Sequence, residues 1–196
     1  MPIALLLWLL LPSGPVTPGL THAQDTLVIR LVNGTEAERR TKSQLERLVR
    51  ENDIGRWIET REVLVDETAI PHSHPVLTVH TRHLGDDDAL LSTFVHEQFH
   101  WYANRAGERT DSAIAEFGER FPNAPVGGGE GAGSAHSTYL HLVVCDLEFQ
   151  AMTLLRGRER AAEVLSRFSH YRWIYQRVLT DPAIREANTR YGLTIR

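Results

Sequence analysis

The fold class this sequence predicts is α+β: a small N-terminal sheet followed by a helical half, in a single domain. Two observations carry that expectation. Strand-like alternation is confined to the first part of the chain, and the second part is a run of capped segments with helical periodicity. The length agrees, since 196 residues suit one domain that buries a core without disulfide staples.

The elements follow in order. From Thr26 to Asn33, Leu27, Ile29 and Leu31 alternate with Val28, Arg30 and Val32, which reads as a strand. Asn33-Gly34 turns the chain. Thr35 followed by Glu38 has the spacing of a capping box, opening a helix with Leu45, Leu48 and Val49 on one stripe. Arg61 to Asp66 and Val76 to Thr81 are two further strands, the second preceded by Pro71 and Pro75.

Asp86, Asp87 and Asp88 supply a cap and a negative first turn for a helix over Ala89–Asn104, and another helix is expected over Asp111–Phe121. Pro122 to Ala135 is Gly-rich and irregular. It lacks the Lys-Ser/Thr of a phosphate loop and reads as a flexible loop or a lid beside a cleft. Thr138–Leu155 is a long apolar helix, followed by helical stretches at Arg158–Phe168, Tyr171–Leu179 and Pro182–Arg190.

The N-terminus predicts export. Ile3 to Leu11 is an uninterrupted apolar run, too short to span a bilayer core of about 30 Å. Pro12, Gly14, Pro15 and Pro18 follow, and Thr21-His22-Ala23 ends in the small residue a signal peptidase accepts. No Lys or Arg precedes the apolar run. The expectation is a signal peptide over residues 1–23, a domain over 24–196 and a secreted or periplasmic location.

Charge and cysteine content narrow the function classes. A formal charge of −4 gives no electrostatic case for nucleic acid or an anionic membrane. Cys145 stands alone, so the chain forms no internal disulfide and no site built on several thiolates. Histidine is abundant, and nine of the ten fall between His72 and His170.

The chemistry concentrates in His96-Glu97-Gln98-Phe99-His100. Histidines four apart on a helix point the same way, one turn above the other, so both imidazoles reach one cation. Glu97 lies about 100° around the axis from His96, beside the metal rather than on it. There it can take a proton from a water that zinc has acidified. Leu91, Phe94, Val95 and Tyr102 cluster on the opposite side of that helix, so the histidines are expected on its less apolar face.

A catalytic zinc takes three protein ligands and one water. Tyr139 to Met152 is almost wholly apolar apart from His141, Asp146, Glu148 and Gln150. An ionised Glu there is costly unless paired or metal-bound. Glu148 is the expected third ligand and His141, two turns away on the same face, is the alternative; His136, Glu116 and Asp111 are further candidates.

The motif at His96, Glu97 and His100 resembles the zincin superfamily of zinc peptidases. Ala103 and Ala106 stand where the metzincin branch requires Gly and His, which excludes that branch. Glu148-Phe149-Gln150-Ala151 is similar to the Glu-x-x-Ala of gluzincins, although Met152 replaces the Asp that usually follows. The resemblance implies Zn2+, a peptide or protein substrate, and hydrolysis with Glu97 activating the water. It also implies a substrate-binding edge strand, for which Val76–Thr81 is placed. A Tyr or His from a later helix would assist the oxyanion, with His170 the catalytic candidate beside Tyr171 and Tyr175, and His141 available if Glu148 binds the metal. The alternative is a catalytically silent, zincin-like protein that binds metal or peptide. A helical domain with core histidines would carry no metal at all.

Overall fold

The computed structural model of the protein describes residues 27–195; the expected signal peptide over 1–23 lies outside them. Strands β1 (Val28–Leu31), β2 (Glu62–Val65) and β3 (Leu77–Val79) form a parallel sheet in the order β1-β2-β3. Their register aligns Ile29 with Val63 and Leu77, and Leu31 with Val65 and Val79. One face of that grid therefore carries branched aliphatic side chains into the core.

Helix α1 (Glu36–Glu51) crosses from β1 to β2 and buries Leu45 and Leu48. The capping box forms by half. Thr35 Oγ1 accepts from the Glu38 amide at 3.2 Å, but the Glu38 carboxylate accepts from the amides of Asn33, Gly34 and Glu67. Fully buried, it ties the exit of β1 to the exit of β2. Residues 66–76 connect β2 to β3 without a helix, and His72 pairs antiparallel with Thr78 through both backbone bonds. The outward backbone groups of Thr78 are thereby used, so the expected substrate edge is already occupied at its centre.

The helical half follows: α2 (Asp87–Ala106), α3 (Glu108–Arg120), α4 (Ala135–Arg156), α5 (Arg158–Ser166), α6 (Arg172–Thr180) and α7 (Pro182–Arg190). Asp86 caps α2 through the Ala89 amide at 3.0 Å, and Ser134 caps α4 through the Ser137 amide at 3.1 Å. That serine starts α4 three residues earlier than the apolar pattern suggests. Gly107, at φ +52°, separates α2 from α3 in a backbone conformation side chains resist. α2 is buried on every side from Ala89 to Phe99, not only on its apolar face. Its polar stripe is enclosed because α4 packs against it with a polar stripe of its own. No helix among the described residues is long and apolar enough to cross a membrane.

The Gly-rich segment is tied down rather than loose. Gly129 and Glu130 carbonyls accept from the Arg172 and Trp173 amides at 3.0 and 3.2 Å, capping α6 in place of a side chain. Glu130 also forms an ion pair with Arg172. At Gly131 a Cβ would fall 1.8 Å from the Pro125 carbonyl oxygen, so the chain passes there only without a side chain.

Candidate metal centre

Two stripes face each other across the α2–α4 contact. Ser92, His96 and His100 follow one another at four-residue intervals on α2, and Ser137, His141, Cys145 and Glu148 occupy one face of α4. Their packing brings the imidazoles of His96, His100 and His141 into a triangle, with ring centroids 5.0, 5.5 and 4.8 Å apart. Their ligand atoms all lie within 4.8 Å of one another.

The outer nitrogens are already engaged. His96 Nδ1 donates to Glu148 Oε2 at 2.8 Å, and His141 Nδ1 donates to the Ser137 carbonyl at 2.6 Å. Both rings are therefore held through Nδ1, which leaves Nε2 as the ligating atom, the arrangement metal-binding histidines use. His96 Nε2 and His100 Nε2 are 3.3 Å apart. Two nitrogens each about 2.0–2.1 Å from a tetrahedral zinc stand roughly 3.3 Å from each other. The donor set fits that ion.

Electrostatics agree. Burial pushes His141 down to about 3 and His100 well below the ordinary imidazole range, so both are neutral donors. Burial opposes a proton on His96 as well, but the adjacent Glu148 carboxylate outweighs it and holds His96 well above that range. The cationic role that proton fills is the one a metal ion takes over.

Glu148 belongs to a second group of side chains that could hold a metal ion. It groups with His96 and Cys145, all fully enclosed, and not with His100. Its Oε1 accepts from Ser92 Oγ at 2.6 Å, and its Oε2 accepts from His96 Nδ1 and from the Tyr175 hydroxyl at 3.1 Å. Three donors thus surround a carboxylate with no exposure. Cys145 Sγ lies 4.0 Å from His96 Nδ1, and burial raises its thiol to about 11.

Glu97 is 6 % exposed and its carboxylate meets no hydrogen-bond donor among the described residues. Burial, against the opposing pull of His96, raises it to about 7. Tyr171 precedes α6 in the left-handed region, at φ +55°, the one non-glycine residue to do so among those described. Its ring lies 4.2 Å from that of His141 and stacks at 6.1 Å on His96. His170 instead packs among Phe168, Tyr171 and Tyr175, and burial followed by the His96 charge drives it down to about 4.

The remaining candidates separate cleanly. Glu116 accepts from Arg190 and the Tyr191 hydroxyl, away from the histidines. Asp111 and His136 line a cleft that His100 borders, but neither joins the metal-binding groups. Ser92 escaped the sequence reading, although its position four residues before His96 was the available signal. Comparison with protein-family models, with curated proteins and with solved structures found no match.

Proposed function

We propose that this chain is a zinc-dependent hydrolase, a peptidase of zincin type, in which His96, His100 and His141 hold the metal. The observation that carries the reading is the convergence of three imidazoles beside a buried carboxylate that meets no hydrogen-bond donor among the described residues. Glu148, with a hydrogen bond to His96 Nδ1 and donors from Ser92 and Tyr175, is assigned to orienting His96 rather than to closing the shell.

A bound zinc supplies Lewis acidity, polarising a carbonyl and acidifying water. Glu97 removes the proton from the attacking water and returns it to the leaving amine, for which a group titrating near neutrality is matched. Tyr171, over the His96 and His141 rings, donates its hydroxyl to the oxyanion, a role the resemblance offered first to His170. A left-handed backbone at that tyrosine is strain of the kind held at functional sites.

The test is Glu97→Gln with elemental analysis. The expected protein carries about one zinc per chain and hydrolyses no peptide. Undiminished hydrolysis sinks the mechanism, and a wild-type protein that holds zinc yet cleaves nothing in a broad peptide library leaves only metal binding.

A further inference from the structure

On the side of His100 away from Glu148, a cleft of about 490 Å3 opens between α2, α3, the start of α4 and the loop before β3. Its wall is mixed, with His74, His100 and His136 beside Ser73, Asn104 and Thr110. Ala103, Ile114 and Leu140 supply apolar surface, and Asp111 supplies the single carboxylate. No Lys or Arg lines it.

Asp111 is exposed, and among the described residues its carboxylate meets no cation and no hydrogen-bond donor. The nearest arginine in sequence, Arg109, donates to the Gly192 carbonyl at 3.2 Å instead. Several other acidic groups are paired: Asp88 with Arg156 and Arg160, Asp146 with Arg185, Glu116 with Arg190. Asp111 faces a cleft that His100 also lines.

We propose that this cleft receives a basic side chain of the peptide substrate, Lys or Arg, with Asp111 as its counter-ion; the proposal rests on the peptidase reading above. A long cationic side chain suits the apolar residues and the carboxylate together. Its methylenes cover Ala103, Ile114 and Leu140 while its head reaches a carboxylate at the rim. An acidic side chain meets like charge there, and an aliphatic one desolvates Asp111 with nothing in return. The volume lies in the ordinary range for a ligand pocket and exceeds a single side chain, leaving room for water around the charged head. Because His100 belongs to the lining, a residue seated here has its backbone beside the metal centre.

The experiment uses the zinc-loaded full chain and two readouts. The first is cleavage of matched quenched peptides in which one flanking residue is Arg, citrulline or Glu. The second is binding of Nα-acetyl-arginine amide, followed by NMR. A charge-assisted contact predicts an Arg-over-citrulline preference of about tenfold or more in kcat/KM, reduced to near unity in Asp111→Asn. Asp111→Arg should turn the preference toward Glu. The amide should bind wild type and not Asp111→Asn, with circular dichroism showing both folded.

Cleavage with no basic preference, or with a preference that survives Asp111→Asn, overturns the assignment. Amide binding that depends on Asp111, in a protein that cleaves no peptide, upholds the cleft and removes the peptidase reading. Neither cleavage nor amide binding overturns both.

Discussion

His96 donates from Nδ1 to Glu148 at 2.8 Å, so the carboxylate expected as a ligand backs the imidazole of a histidine that also groups with His100 and His141. A carboxylate in that position fixes the tautomer and strengthens the ring as a donor. Removing it should weaken the site without dismantling it. Glu148→Gln is expected to keep one zinc per chain with affinity lower by about 10–100-fold, whereas His141→Ala loses the metal. Competition titration against a zinc chelator measures both, and stoichiometric zinc in His141→Ala would reverse the assignment.

Ser92 and Tyr175 complete the shell around Glu148. Ser92→Ala leaves a buried carboxylate oxygen without a donor, at a cost of about 1–3 kcal/mol. Urea unfolding of the metal-free protein should show that loss. An unchanged midpoint would mean that Ser92 contributes nothing to satisfying Glu148.

Tyr171 tests the oxyanion assignment. Tyr171→Phe preserves the ring over His141 and removes only the hydroxyl, so kcat should fall by about 100-fold with KM, zinc content and stability little altered. Equal turnover in wild type and variant would return the role to another donor.

The Gly-rich segment separates into fixed and free positions. Gly131→Ala places a Cβ on the Pro125 carbonyl and should destabilise the fold by at least about 1–3 kcal/mol. At Gly133 nothing lies within 4 Å and φ is not in the left-handed region. Gly133→Ala should stay within about 0.5 kcal/mol of wild type. Similar midpoints for the two variants would contradict the close passage at Gly131.

Acid stability should depend on Asp88. Burial raises its carboxyl, but Arg156 at 2.6 Å and Arg160 at 2.8 Å outweigh that and hold it below the ordinary carboxylate range. A folded-state pKa below the unfolded value means the stabilisation is fully present above the unfolded pKa, about 3.9, and is lost as pH falls through the folded value. Asp88→Asn should therefore flatten the stability curve between about pH 4 and the acid limit. Asp88 lies at the start of α2, two turns before His96, so metal-free protein suffices for the measurement.

What the sequence determined by itself was local. Helical periodicity put His96 and His100 on one stripe of α2, and His141, Cys145 and Glu148 on one stripe of α4. Caps at Thr35 and Asp86 marked where two helices begin, and the strand readings located all three strands to within two residues. These are properties of neighbouring residues, which periodicity encodes directly.

Tertiary structure decided how the α4 stripe meets the histidines of α2: His141 packs against His96 and His100, and Glu148 takes the hydrogen bond from His96 Nδ1. His141 and Glu148 are two turns apart on one face, so sliding one helix along the other exchanges their places, and nothing local sets that slide. The docking of α4 does, and with it the burial of the α2 histidine face, the backing of His96 by Glu148 and the closure of α6 by the Gly129 and Glu130 carbonyls. His96, Glu97 and His100 could be read as a unit because one helical turn holds them together. Their partners arrive from 40 to 80 residues away in the chain, and only packing brings them in.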